Sequence, residues 1–214
     1  NGIIQIIWQN NFDLKFDKLI GKLVKHWYKE FNTLKFNYQK ILDDLIEFSI
    51  QRIISHLEDS SYDREIISAT CESENIRHLN ILNIADLRKR IETIQNFKLE
   101  KNSSNLINII SRYTKLANKG NLEKNVYSCK DKINVELFEK KSELDVFKFL
   151  QLLENLVSTQ DWEYNQLINL FMENIKVMIE IFDTNNGVMV MTEDLKLRNN
   201  RLNLLALVRN YSLL

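Results

Sequence analysis

The sequence predicts an all-α protein, a multi-helix bundle. The first observation is compositional: 214 residues include no Pro and only four Gly. Sandwiches and barrels need many turn residues, whereas helices can be joined through Asn, Asp and Ser caps. The second is periodic, with apolar residues recurring three and four positions apart through most of the chain. At 44% apolar and 27% charged the chain reads as an ordinary soluble globule, neither disordered nor membrane-spanning. Its length allows a core that hides roughly 70% of the unfolded surface.

Taken in order, residues 3–8 form a nearly unbroken apolar run suited to a buried helix end or a short strand. Residues 16–31 are the cleanest amphipathic segment. Leu19, Ile20, Leu23, Val24, Trp27, Tyr28 and Phe31 are expected inward, and Lys15, Lys18, Lys22, Lys25 and Lys29 line the opposite face. That stripe is either a solvated face or a track for phosphates. Residues 33–57 form the next helix, with Ile41, Leu42, Leu45, Ile46, Ile50, Ile53, Ile54 and Leu57 inward, until Asp59-Ser60-Ser61 breaks it. A short helix is expected over 62–68. Asp86 should cap a helix carrying Leu87, Ile91, Ile94 and Phe97, with Arg88, Lys89 and Arg90 outside.

Ser103 or Ser104 should start a helix with Leu106, Ile107, Ile110, Tyr113 and Ala117 inward and Arg112, Lys115 and Lys119 outward. Lys124, Lys130 and Lys132 add to this basic neighbourhood. Gly120 is expected as the helix stop, and the polar, aperiodic stretch 121–134 as a mobile loop. Helices over 142–157 and 159–182 should cradle a terminal helix. That helix is expected to begin at an N-cap Thr192, with Glu193 and Asp194 in its first turn. Leu195, Leu202, Leu205 and Val208 would be its buried stripe, leaving Lys196, Arg198, Asn199, Arg201 and Arg209 free to bind.

Charge and chemistry narrow the function classes. Twenty-nine Lys and Arg balance twenty-nine Asp and Glu, but an average conceals local fields, so neutrality does not exclude nucleic acid. Cys71 and Cys129 lack paired or metal-ligand spacing and are expected to be reduced thiols, consistent with a cytoplasmic compartment. His26, His56 and His78 have no nucleophile or metal partner in sequence, and no Gly-rich phosphate loop is present. The chain lacks an initiator Met and ends within an apolar helical pattern, so it is expected to be a fragment of a longer subunit.

The terminal stretch Val188-Met189-Val190-Met191-Thr192-Glu193-Asp194, followed by Leu197-Arg198, Asn200-Arg201-Leu202 and Leu204-Leu205, resembles the helical anticodon-binding domain called DALR of bacterial glycyl-tRNA synthetase beta subunits. Phe182-Asp183 before it agrees, as do Gly2-Ile3-Ile4-Gln5-Ile6-Ile7-Trp8 with Asn11-Phe12-Asp13-Leu14, the run from Asp86 to Phe97, and the run from Arg112 to Asn118. The resemblance implies two regions: residues 1–84, the end of an HD-like domain with connecting helices, and residues 85–214, the DALR-type bundle. It further implies tRNA(Gly) and a glycyl-tRNA synthetase alpha subunit as partners in an alpha2/beta2 complex without membrane attachment. Glycine activation with ATP and Mg would occur at the alpha subunit, and this chain would hold no cofactor or catalytic residue. The link 183–188 is a few residues longer than the usual family link, which leaves the roles of Asn185 and Asn186 open.

Glycine anticodons end in two cytosines, so a reader must accept from N4 and donate to N3 and O2. Glu193, Asp194, Arg198, Asn199 and Arg201 offer both kinds of group in one segment. Arg198 and Arg201 are the leading positions, with Lys196 and the Arg112, Lys115, Lys119 stripe as phosphate contacts. Glu193, Asp194, Arg198 and Arg201 could equally pair with one another as a surface network. Two rival readings are an arginyl-type DALR domain and a helical subunit-interaction scaffold without RNA binding; only the RNA binders would show a steep salt dependence.

Overall fold

The computed structural model describes residues 2–31, 37–71, 83–159, 161–185 and 187–214. His78, Asn186 and the expected helix start at 33–36 lie outside them. The described elements are helical: α1 (Gly2–Gln9), α2 (Phe16–Glu30), α3 (Tyr38–Asp59), α4 (Arg64–Cys71), α5 (Ile84–Lys98), α6 (Ser103–Ala117), α7 (Cys129–Lys132), a 3-10 turn (Val135–Leu137), α8 (Lys141–Ser158), α9 (Tyr164–Glu173), α10 (Ile175–Glu180) and α11 (Leu195–Tyr211). Among the described residues there is one isolated β-bridge, Lys15 to Asn83, and no sheet. The all-α expectation is borne out.

Two compact units divide the chain, Asn1–Lys98 and Leu99–Leu214. In the first, α1 and α4 both pack on α5, α4 also packs on α3, and α2 pairs with α3. Its core gathers Ile4, Ile7, Trp8, Ile53, Leu57, Ile66, Ile67, Cys71, Ile84, Leu87 and Ile91, and the Trp8 indole donates to the Ile84 carbonyl at 2.8 Å. The resemblance drew its boundary at 84/85, whereas the compact units meet at 98/99, because Leu87 and Ile91 bury their side chains among those of α1 and α4. Asn83 caps α5 by accepting from the Asp86 amide at 3.1 Å, so Asp86 is inside the first turn and not its cap.

The apolar run of α1 resolves into one buried stripe, Ile4, Ile7 and Trp8, with Ile3 and Ile6 exposed. On α2 only Ile20 and Val24 are buried, and Leu23, Trp27, Tyr28 and Phe31 stand about half exposed, contrary to the expected inward face. Among the described elements α2 packs chiefly on α3, which covers a narrower strip than the periodicity offers.

The second unit is built around α11. That helix packs most extensively on α6, and also on α8 and α7, while α9 and α10 pack on α8. Leu204, Leu205, Leu207 and Val208 are fully buried, together with Tyr113, Val146, Leu150, Leu153 and Met178. The Tyr113 hydroxyl donates to the Met178 carbonyl at 3.1 Å, joining α6 to α10. The expected helix over 159–182 is two helices, broken at Asn174, whose side-chain amide donates to the Leu170 carbonyl. On α6 Leu106, Tyr113 and Ala117 are buried as expected, but Ile109 joins them in place of Ile107, which is 51% exposed. Gly120 has no positive φ; a Cβ there would lie 3.1 Å from the Leu202 Cβ, so its smallness permits close approach to α11.

Deep burial of α11 gives a direct test. Leu204→Ala is expected to lower stability by about 2–5 kcal/mol in chemical denaturation, while Leu195→Ala, at a site 60% exposed, changes it by no more than about 0.5 kcal/mol. Cys71 and Cys129 are both buried and outside any disulfide, and burial pushes the Cys129 thiol up, helped by its contact with Glu154. Neither is expected to react with a thiol-specific reagent at neutral pH until the protein is unfolded.

Candidate nucleic-acid interface

The terminal helix begins later than the sequence suggested. Its N-cap is Asp194, whose carboxylate accepts from the Lys196 and Leu197 amides at 2.8 and 3.1 Å, and Thr192 precedes it outside the helix. Asp194 wins because a short carboxylate at the N-cap satisfies two otherwise unpaired amides and faces the positive end of the helix dipole. Glu193 therefore sits before the helix, exposed. In the preceding stretch Val190 is buried, whereas Met189 and Met191 are 75% and 43% exposed. The Gly187 amide donates to the Asp183 carbonyl and the Val188 amide to that of Ile181. A Cβ at Gly187 would collide with the Asp183 backbone, so the tight turn admits only glycine there.

Arg201 is not available to a base. It is 4% exposed, its Nε donates to Glu143 Oε1 at 2.8 Å, its Nη2 reaches Glu139 at 2.8 Å, and its Nη1 donates to the Met189 carbonyl at 3.1 Å. Burial alone would lower its pKa, but the hydrogen bonds it donates to Glu143 and Glu139 outweigh that and hold the guanidinium above its ordinary value. Glu143 is itself fully buried and also accepts from the Glu139 and Lys140 amides at the start of α8. This cluster ties α8, α11 and the strand of chain at Met189 together. Arg209, also expected to be free, is 3% exposed and donates to Asn118, Leu122 and Asn210; burial pulls its pKa down.

The segment expected to be a mobile loop is instead anchored to α11. The Asn210 side chain donates to the Glu123 and Asn125 carbonyls, Asn203 donates to that of Lys132, and Asn200 both accepts from the Asn134 amide and donates to its carbonyl. These amides position α7 beside the first turns of α11 and form an open groove of about 550 Å³. Its lining includes Lys130, Asp131, Lys132, Asn134, Lys196, Asn199, Asn200 and Asn203. Lys196 and Asn199 were among the sequence candidates. Asp131, Asn134 and Asn203 were not, and Lys130 and Lys132 had been read only as part of a basic neighbourhood. The Lys132 ammonium also lies 4.6 Å from the Tyr127 ring centroid.

Positions 196, 199, 200 and 203 share a face at about 100° per residue, and Arg198 lies roughly 100–160° around α11 from them. Arg198 is half-buried and does not line the groove. Arg112 stacks its guanidinium 4.1 Å over the Phe182 ring, while Lys115 is exposed on α6 and Lys119 is exposed just past its end. The chemistry gathered in the groove is three ammonium groups, donating amides and one carboxylate, on a half-open surface suited to phosphates and base edges.

A second, smaller cleft in the first unit, about 350 Å³, is lined by residues including Trp8, His56, Tyr62 and Arg88. His56 stacks on Trp8 at 4.6 Å, and Tyr62 and Arg88 both donate to Glu92 Oε1 at 2.7 Å. Its polar groups largely satisfy one another. Among the described residues no group of three His, Cys, Asp or Glu could hold a metal ion, and no helix is long and apolar enough to cross a membrane.

The geometry separates residues that shape the interface from those that could contact a ligand. Arg201→Ala leaves the buried Glu143 uncompensated and is expected to cost about 3–5 kcal/mol of stability; Lys196→Ala and Asn199→Ala should leave the denaturation midpoint nearly unchanged.

No family model matches the chain. Among curated proteins it is similar to the glycine--tRNA ligase beta subunit of Acaryochloris marina, 29% identical over 217 residues that cover all of this chain and 30% of that protein. The Trichodesmium erythraeum protein of the same name is 27% identical over 98% of this chain and 30% of its own length, and that of Rickettsia typhi is 26% identical over 95% and 27%. The resemblance first visible in the terminal helix is thus borne out across the whole chain, which matches a stretch amounting to about 30% of the length of glycine--tRNA ligase beta subunits.

Proposed function

We propose that this chain is the C-terminal, tRNA-binding part of a glycine–tRNA ligase beta subunit, and that its second unit reads the anticodon of tRNA(Gly). The observation that carries the reading is the groove between α7 and α11. It offers Lys130, Lys132 and Lys196 to phosphates, and Asp131 and Asn199 to base edges. In the complete enzyme an alpha subunit would activate glycine with ATP and Mg, and this region would hold the tRNA in an alpha2/beta2 assembly in the cytoplasm. It is non-catalytic and contributes remote binding energy to the reacting end of the substrate.

Within this reading a carboxylate such as Asp131, or the exposed Glu193, accepts from cytosine N4, while Asn199 donates to the acceptor edge. Lys196 and the exposed Lys115 and Lys119 contact phosphates, with Arg198 and Arg112 as further contacts outside the groove. Asp194 and Arg201 act by holding the helix start and the preceding backbone, without touching RNA.

Binding of the chain to a glycine anticodon stem-loop, and to copies with each constant cytosine replaced, tests the proposal. Replacement is expected to cost about 1–3 kcal/mol. Asp131→Asn or Asn199→Ala should reduce that discrimination, whereas Lys130→Ala or Lys132→Ala should weaken all loops alike and flatten the salt dependence by roughly 0.7–0.9 in log–log slope. Equal affinity for every loop would overturn anticodon reading.

A further inference from the structure

We propose that α2 carries a second RNA-contacting surface, a lysine ladder that follows the phosphate backbone of a duplex arm of the bound RNA. This rests on the reading of the chain as an RNA-binding part of a ligase and extends it to a surface in the other compact unit. Lys15, Lys18, Lys22, Lys25 and Lys29 are all exposed. Their alternating spacing of three and four holds them in one stripe within roughly 80° of the helix circumference, and the stripe is about 21 Å long. That length runs past several phosphates of one strand.

Among the described residues of the first unit the ladder's charge is unmatched. No lysine of it forms an ion pair or side-chain hydrogen bond with any described residue. Elsewhere in the same unit several cations are matched, although the single lysines Lys40 and Lys89 are not: Arg88 meets Glu92 at 2.7 Å, Arg90 meets Asp86 at 3.5 Å and Lys98 meets Asp63 at 2.7 Å. The two carboxylates of α2, Asp17 and Glu30, do not pair with the ladder either. The acidic residues Asp43, Asp44 and Glu47 belong to α3, which covers the Ile20 and Val24 side of α2, away from the lysines.

Like charges three and four apart on a helix repel, and a face evolved only for solvation relieves this by interspersing acids. Here the stripe stays purely cationic, and a polyanion removes the repulsion by releasing its counterions. Lysine suits the task because a flexible ammonium contacts phosphate as a point charge without reading sequence. A lipid surface fits less well. The centre of the apolar side of α2, Ile20 and Val24, is already packed on α3, with the Tyr38 hydroxyl donating to the Gly21 carbonyl and Tyr28 set edge-on to Tyr38, so only the flanking half-exposed Leu23, Trp27, Tyr28 and Phe31 remain where an interfacial helix would bury a whole face.

The test compares the wild-type chain with a quadruple variant, Lys18→Gln, Lys22→Gln, Lys25→Gln and Lys29→Gln, and with the matching quadruple Lys→Arg variant. Affinity for a tRNA(Gly) transcript and for a copy with replaced anticodon cytosines is measured across a range of salt concentrations, with helix content and melting checked by circular dichroism. The Gln variant is expected to bind both RNAs more weakly by the same factor, about tenfold or more at low salt, with a log–log slope shallower by roughly 2–4, and the Arg variant to retain the wild-type slope. An unchanged slope in the Gln variant overturns the ladder, including the case in which that variant loses binding to anionic vesicles instead. Cytosine discrimination is read separately: its absence in the wild type, with the slope still lost in the Gln variant, overturns anticodon reading and leaves the ladder standing. A wild-type chain that binds neither RNA overturns both.

Discussion

The buried pair between Glu143 and Arg201 is the constraint on which the interface depends. Moving both charges out of water is expensive, and the pair persists because further hydrogen bonds support both partners: two backbone amides reach Glu143, while Glu139 and the Met189 carbonyl accept from the guanidinium. The start of α8, the first half of α11 and the chain before it therefore keep one relative arrangement. Asp194 then fixes where α11 starts, and with it the direction in which Lys196 and Asn199 project.

A second tier of fixed polar contacts comes from side-chain amides. Asn200, Asn203 and Asn210 substitute for the backbone partners that an irregular segment lacks, so residues 122–134 can lie against a helix without leaving buried donors or acceptors unpaired. The same hydrogen bonds deliver Lys130 and Lys132 to the edge of α11. Shape and electrostatics of the groove are thus consequences of buried polar geometry, and the cations at its rim need no support of their own beyond it.

The two units use charge differently. In the second, cations that sequence alone would offer to a ligand are split between buried structural roles, Arg201 and Arg209, and exposed positions such as Lys196 and Lys115. In the first, arginines are largely matched by carboxylates or aromatic rings, as with Arg88 and Arg52, and the α2 lysines are left to solvent. Arg forms bidentate and stacked contacts that suit burial, and Lys stays strongly hydrated.

The sequence by itself determined the helical class and the approximate place of most helices, because a missing Pro, scarce Gly and a three-to-four apolar rhythm are local properties that the backbone obeys wherever the chain folds. It also carried the relationship to the beta subunits, since Val188 to Leu205 and the upstream segments preserve side chains in order. Tertiary structure decided which repeats of that rhythm are covered: Leu195 and Ile107 fit the pattern yet remain exposed, while Arg201, Arg209 and Asn210 break it and are buried. Nor could spacing reveal that Asn200 faces Asn134 or that Arg201 meets Glu143, for those partners are 66 and 58 residues apart. Periodicity specifies a face of one helix; only the packing of several helices specifies whether a neighbour, a buried carboxylate or solvent meets that face.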